Sequence, residues 1–218
     1  MSPPDGVGLR FAPAELRDLA VAWLALGVAF AVFFLGGGTA LIGLLARGGV
    51  GALAAAVGVS LVTAGVAFLC HELAHKVVAV RFGQVAAFRA DYGMLFLAVM
   101  SALVGFLFAA PGAVHHRGRL TPRENGLIAL AGPAVNVALA LAFAPLALLG
   151  AATGGGLLEL VGARGLAINL VLAAFNLVPY GPLDGRTVLS WSRAVWALAF
   201  LPVAAVAVYV VVLRGVGF

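Results

Sequence analysis

The sequence contains very little charge. Of its 218 residues only 10% are Asp, Glu, Lys or Arg, whereas 64% are hydrophobic, and the mean hydropathy is +1.15. Such a chain has too few polar side chains to cover the surface of a water-soluble globule. The composition therefore excludes a soluble protein and indicates that nearly the whole chain lies in a lipid bilayer.

Cysteine and long polar segments are also scarce. The single cysteine, Cys70, excludes an intrachain disulfide. The segments between apolar runs are too short for a separate soluble domain, so we expect residues 1–218 to form one integral-membrane domain.

The net charge of +5 comes from scattered basic residues, which is typical of membrane orientation signals and not of nucleic-acid binding. The oligomeric state stays open.

Long apolar runs without any charged residue are what the sequence has in abundance. Each is near or above the roughly 17–25 residues that cross a bilayer as a helix. Six such runs occur, at residues 19–35, 48–70, 92–114, 125–158, 165–183 and 194–213. They predict an all-α, multi-pass membrane protein.

A His-Glu-x-x-His motif ends the second run. His71 and His75 are four residues apart in a predicted helix, so their side chains share one face and both imidazoles can reach one ion. Glu72 lies one step round the helix, where it can act as a general base without occupying a coordination position. Three ionisable side chains beside an uncharged run are costly in lipid unless they bind or pair, which favours a metal site.

Two imidazoles do not complete a catalytic zinc site, because such a site needs a third protein ligand and an open position. Asp184 is the best placed candidate, since it is the one carboxylate of a segment, 176–185, that two prolines break at the end of an apolar run. The other candidates are Asp91, His115, His116, Glu124 and Glu159. We expect these in ordinary loops, with His115 and His116 in a solvated or headgroup-facing turn.

Six full passes conflict with this metal site. If every run crossed, Asp184 would emerge on the membrane face opposite the histidines, about 30 Å away. A non-crossing or re-entrant path for residues 93–114 returns Asp184 to the level of His75. We therefore predict five full spans near residues 18–36, 50–79, 124–149, 158–178 and 191–213, with short membrane-associated strands possible around the re-entrant segment.

The basic residues provide an independent test of this topology. With the N-terminus inside, six passes would leave 7 of the 13 basic residues inside and 6 outside. Five spans place 10 inside and leave 3 outside, namely Arg47, Arg164 and Arg214. The positive-inside rule favours five spans, with the N-terminus and the metal site on the cytoplasmic side.

Three ordered motifs together resemble the site-2 protease family of intramembrane zinc metalloproteases. They are His-Glu-Leu-Ala-His at residues 71–75, Ala-Gly-Pro-Ala-Val-Asn at 131–136, and Phe-Asn-Leu-Val-Pro at 175–179 followed by Pro-Leu-Asp-Gly at 182–185. The resemblance implies that His71, His75 and Asp184 bind one zinc ion and that Glu72 activates water. It also implies that Asn176 and Asn136 position substrate or stabilise the oxyanion, although each amide could instead form a helix–helix hydrogen bond.

The resemblance implies hydrolysis of a peptide bond within or near a transmembrane helix of a membrane-protein substrate, as in regulated intramembrane proteolysis. Many family members carry PDZ or CBS domains, and we expect a minimal form without either. Two alternatives stay open. The same buried His and Asp groups could pass a metal or a proton in a transporter, or the chain could be an inactive scaffold.

A transmembrane substrate must unwind before its peptide bonds become accessible. An extended edge could hold such a segment by strand addition. We expect residues 82–96 to provide that edge.

Overall fold

The computed structural model describes residues 8–217. Within that range the chain forms nine α-helices and two short strands, and two π-helical turns, Leu61–Gly65 and Val208–Leu213, extend helices. The elements in chain order are α1 (Pro13–Phe34), α2 (Gly38–Ala46), α3 (Val50–Ser60), α4 (Val66–Arg81), β1 (Val85–Ala90), α5 (Tyr92–Leu103), β2 (Gly112–Arg117), α6 (Pro122–Ala152), α7 (Leu157–Asn176), α8 (Asp184–Trp191) and α9 (Arg193–Ala207).

Five helical segments are long and apolar enough to cross a membrane, as predicted. They are Pro13–Phe34, Val50–Arg81, Pro122–Ala152, Leu157–Asn176 and Arg193–Leu213. Helix α5 has 12 residues, and at 1.5 Å per residue it is about 18 Å long, too short for a hydrocarbon core of about 30 Å. The predicted multi-pass bundle with one shorter segment is confirmed.

The described chain divides into two compact units, each assembled from pieces that are distant in sequence. One unit comprises residues 12–69 and 88–113, and the other comprises residues 8–11, 70–87 and 114–217. The second unit contains all of the predicted metal ligands. The single domain predicted from the sequence stays a prediction.

In the first unit, α1 packs closely against α5 and α3 because small residues line the contacts. Ala29, Ala98 and Ala102 are fully buried in one cluster. A Cβ added at Gly65 would lie 2.5 Å from the indole ring of Trp23, whose Nε1 donates to the carbonyl of Leu61 at 3.0 Å. Small residues at helix contacts let backbones approach in the membrane, and this unit depends on them.

Strands β1 and β2 form a two-stranded sheet. The expected extended edge at residues 82–96 is therefore only partly present, because β1 covers residues 85–90 and residues 92–96 lie in α5. Two N–H groups of β1 are already occupied by side chains of α1, since Phe88 donates to Glu15 Oε1 at 2.9 Å and Ala90 donates to Asp18 Oδ2 at 3.4 Å. These two acids lie on α1 and are buried. A substrate strand added to this edge would have to displace both carboxylates.

The same two acids explain why α1 begins at Pro13, five residues before the predicted start. Charged side chains normally end a membrane span, and the predicted start at residue 18 therefore left Glu15 outside the span and placed Asp18 at its end. Their partners on β1 allow both carboxylates to be buried within the helix.

In the second unit, α6 and α7 make the most extensive helix contact of the described chain. Glycines allow the close approach. A Cβ at Gly162 would lie 2.2 Å from the backbone of Ala147, and one at Gly165 would lie 2.3 Å from the ring of Phe143. Helices α8 and α9 complete the unit, with α8 against α6 and α9 against α7.

Replacing Gly65 with alanine should destabilise the first unit. The new methyl group would push Trp23 away from Leu61, and overpacking of this kind costs about 1–3 kcal/mol. Thermal unfolding of the purified protein in detergent measures the effect. Gly58→Ala is the matched control, because a Cβ there meets nothing within 4 Å. Equal melting temperatures for the two variants would contradict the packing described here.

Candidate metal centre

Helix α4 places two imidazoles side by side in the second unit. His71 and His75 are one helical turn apart and are only 5% and 8% exposed. Their ring centroids are 4.6 Å apart and their Nε2 atoms are 3.0 Å apart. The spacing of the motif thus brings both Nε2 atoms to one point, as predicted from the sequence.

Asp184 reaches the same point because the chain turns back after α7. The turn is tight: a Cβ at Gly185 would lie 2.0 Å from the carbonyl oxygen of Leu177, so only glycine fits there. Trp196 of α9 holds the turn by donating its Nε1 hydrogen to that carbonyl at 2.8 Å. As a result, Asp184 Oδ2 lies 3.3 Å from the Nε2 atom of His71 and 3.4 Å from that of His75.

The protonation of His75 follows from its hydrogen bond. Its Nδ1 lies 2.7 Å from the carbonyl oxygen of Ile128, and a carbonyl oxygen can only accept. Nδ1 therefore carries the hydrogen, and in the neutral ring the lone pair is on Nε2. This is the tautomer that a histidine needs in order to bind a metal through Nε2.

The three convergent atoms fit a metal ion. The buried Oδ2 atom of Asp184 has no hydrogen-bond partner among residues 8–217, and it faces two imidazole nitrogens. Atoms with outward lone pairs repel one another at such distances unless a cation lies between them. Tetrahedral zinc with ligand distances of about 2.0–2.1 Å separates its ligands by about 3.3 Å, close to the observed 3.0–3.4 Å. His71, His75 and Asp184 can thus hold a metal.

The electrostatics of Asp184 also suit a ligand. Burial raises the pKa of its carboxyl group, but in the metal-free site hydrogen bonds and positive charge from the two imidazoles, in their protonated form, lower the pKa more, so the net pKa lies below the ordinary value. Asp184 is therefore a carboxylate at neutral pH.

Gly132 of α6 leaves the space in which these atoms meet. A Cβ at this position would lie 2.5 Å from His75 Nε2 and 2.6 Å from His71 Nε2. Any side chain here would occupy the room that the ligand atoms enclose. The glycine of the second motif is thus required by the site itself.

Glu72 lies beside the ligand group and is not part of it. Its side chain is buried, and its Oε2 accepts a hydrogen bond from the backbone N–H of Val114 at 3.1 Å. This bond, from the outward side of β2, fixes the rotation of the carboxylate. The sequence did not indicate this contact, because it joins segments 42 residues apart.

The two predicted asparagines differ in their surroundings. Asn136 is fully buried, and its Oδ1 lies 2.6 Å from His71 Nδ1, so it contacts the back of a predicted ligand. Asn176, at the end of α7, is partly buried and donates to the carbonyl of Leu172 on its own helix at 3.0 Å. The substrate-binding or oxyanion roles of both residues stay predictions.

The other sequence candidates lie elsewhere. Asp91 caps α5 by accepting from Met94 N–H, and Glu124 completes a capping box with Thr121 at the start of α6. The prediction of a turn at residues 115–116 was wrong. His115 and His116 lie in β2, which pairs with β1. Partial burial lowers the pKa of His116.

Sequence reasoning missed Gly132 and Asn169. The role of Gly132 depends on atoms of another helix, which no local pattern reveals. Asn169 is fully buried and accepts a hydrogen bond from Asn136 Nδ2 at 2.9 Å. An amide in the middle of the apolar helix α7 was the available signal.

Comparison with curated proteins finds relatives that are named as candidate zinc metalloproteases. MJ0611 of Methanocaldococcus jannaschii is 47% identical over 146 residues, which cover 66% of this chain and 75% of that protein. YwhC of Bacillus subtilis is 33% identical over 59% of this chain and 66% of its own length. Rip3 of Mycobacterium tuberculosis is 37% identical over 54% of this chain, which spans about a quarter (26%) of Rip3. No family model and no solved structure matches.

Replacing Gly132 with alanine should abolish stoichiometric metal binding. The methyl group would overlap the Nε2 atoms and force the imidazoles apart. Zinc content after equilibration and desalting measures this loss. Gly126→Ala is the control on the same helix, since its Cβ would clash as closely, at 2.4 Å, with Trp191. It should lower stability and keep the metal. Full zinc occupancy in the Gly132 variant would contradict the proposed site geometry.

Proposed function

This chain belongs to the site-2 protease family of zinc metalloproteases, and on that premise we propose that it hydrolyses a peptide bond within or near a transmembrane helix of a membrane-protein substrate. The proposed class is a zinc metalloendopeptidase that acts in regulated intramembrane proteolysis. Its partners are the lipid bilayer and a transmembrane protein or peptide.

One observation carries this proposal. The Nε2 atoms of His71 and His75 and the Oδ2 atom of Asp184 meet within 3.0–3.4 Å, and Glu72, the residue after His71 on the same helix, is buried. Two imidazoles and one carboxylate with a neighbouring acid are the parts of a hydrolytic zinc site. The names of the relatives support the same class.

Zinc bound to these three residues would supply Lewis-acid chemistry and lower the pKa of water toward about 7. Glu72 is the proposed catalytic base. Its carboxylate takes a proton from the attacking water as the new carbon–oxygen bond forms, and it delivers that proton to the amide nitrogen as the carbon–nitrogen bond breaks. The N–H of Val114 orients the carboxylate for both transfers.

Asn176 is the proposed donor to the oxyanion. Its Nδ2 donates to a carbonyl of its own helix, and rotation of the side chain would let the same group donate to the substrate oxygen instead. Amide donors are effective in a low-dielectric site. Asn136 is a weaker candidate for this role, because its Oδ1 faces His71. We propose that Asn136 acts on the metal ligand instead.

The proposed orientation places the N-terminus and the metal site on the cytoplasmic side. Cysteine-accessibility labelling in intact cells tests this. In a background with Cys70→Ser, a cysteine at Arg186 should resist a membrane-impermeant reagent added outside, whereas a cysteine at Arg47, which is exposed between α2 and α3, should react. The positive-inside count is the physical reason. The reverse pattern would overturn the orientation and leave the metal site intact.

The Glu72→Gln variant tests the proposed reaction. Purified protein should contain one zinc per chain, and it should cleave at least one member of a panel of single-span membrane substrates until a chelator is added. Glu72→Gln should keep the zinc, because residue 72 is not a ligand, and should lose about 10²–10⁴-fold in turnover.

The same preparation distinguishes the alternatives. A transporter would move zinc or protons into liposomes and show no hydrolysis that Glu72→Gln could remove. An inactive scaffold would bind substrates without cleaving them. Wild-type turnover in the variant would show that Glu72 is not the base.

A further inference from the structure

Two buried amides stand behind His71 and connect it to the interface of α6 and α7. Asn136 lies on α6 and Asn169 on α7, and both side chains are fully buried. Three hydrogen bonds follow one another: Asn169 Nδ2 to the carbonyl oxygen of Gly165 at 2.8 Å, Asn136 Nδ2 to Asn169 Oδ1 at 2.9 Å, and His71 Nδ1 with Asn136 Oδ1 at 2.6 Å.

The direction of these three hydrogen bonds is determined at the end that lies farthest from His71, the carbonyl of Gly165. The carbonyl oxygen of Gly165 can only accept, so Asn169 must present its Nδ2 to it. The Oδ1 of Asn169 then faces α6, and Asn136 must present its own Nδ2 in return. That leaves Asn136 Oδ1 to face His71, where an oxygen can accept and cannot donate.

These hydrogen bonds determine which ring nitrogen of His71 is protonated. Its Nδ1 must carry the hydrogen, so in the neutral ring the lone pair is on Nε2, the atom that faces Asp184 at 3.3 Å. Turning either amide over would bring like groups together, oxygen to oxygen or NH₂ to NH₂, at a fully buried position. The two amides thus select one tautomer of the ring.

The two histidines differ in what holds them. The Nδ1 of His75 is bound by a backbone carbonyl, that of Ile128, which no side-chain substitution removes. His71 depends on side chains of two other helices. Its orientation is therefore sensitive to substitution at positions that do not contact the metal.

We propose that Asn136 and Asn169 are positioning residues that fix the metal-binding tautomer of His71 and so set the affinity of the site for zinc. This inference rests on the proposed metal site. Partners of this kind typically contribute 10–100-fold to metal affinity.

Zinc dissociation constants of the purified full-length protein, measured by competition with a chelator, test the inference. Asn136→Leu should weaken binding about 10–100-fold, because Nδ1 loses its acceptor. Asn136→Asp should bind within a few-fold of the wild type, since its carboxylate still accepts from Nδ1. Asn169→Leu should weaken binding several-fold, because it frees the Asn136 amide to turn over.

Leu170→Ala is the matched control. Leu170 is a buried neighbour of Asn169 on α7 that packs with Ala140 and Ala207. Its variant should lower the melting temperature and leave zinc affinity and the absorption spectrum of the cobalt-substituted protein unchanged. Asn136→Leu should shift that spectrum, which a purely structural role would not do.

Two results would overturn the inference. In the first, Asn136→Leu binds zinc as tightly as Leu170→Ala does. In the second, Asn136→Asp binds zinc as weakly as Asn136→Leu does. If the leucine variants do not fold, nitrogen NMR of histidine-labelled wild-type protein decides. A hydrogen on Nε2 of the metal-free neutral His71 ring contradicts the inference that the two amides fix the tautomer, and a hydrogen on Nδ1 supports it. A wild type that binds no zinc would instead reject the proposed function.

Discussion

The structure around the site depends on the convergence of three electron-pair donors. The Nε2 atoms of His71 and His75 and the Oδ2 atom of Asp184 face one another at 3.0–3.4 Å. Such an arrangement is unfavourable in a low-dielectric interior without a cation. The surrounding contacts hold the donors in place: Ile128 and Asn136 bind the far side of each ring, and the turn after α7 carries the carboxylate.

Glycine makes the convergence possible in a bundle that is otherwise packed with aliphatic side chains. Gly132 leaves room beside the two imidazoles, Gly185 lets the chain return against the end of α7, and Gly165 brings α6 and α7 together. The first two belong to the motifs that also carry Asn136 and Asp184. These motifs therefore encode both donor atoms and the space around them.

Much of this could be predicted from the sequence. Charge-free runs located six apolar segments because the hydrophobic thickness of a bilayer fixes the length of a span. The metal site and the positive-inside count then reduced them to five spans. The spacing of His71 and His75 follows from helix geometry. Asp184 could be selected because it is the one carboxylate of a segment that two prolines break at the end of an apolar run.

The rest depended on contacts between distant segments. The burial of Glu15 and Asp18 inside α1 depends on N–H groups of β1 that only the fold brings near. The strand at His115 and His116 depends on pairing with β1. The role of Asn169 depends on its hydrogen bond with Asn136, which lies 33 residues earlier. No local periodicity contains these partners.

X-ray absorption spectroscopy at the zinc edge, on the purified full-length protein, tests the central claim most directly. The account predicts one zinc per chain with only nitrogen and oxygen ligands at about 2.0–2.1 Å, and with outer-shell scattering from two imidazole rings. Folded protein without zinc, a sulfur ligand, or a spectrum without imidazole scattering would contradict it.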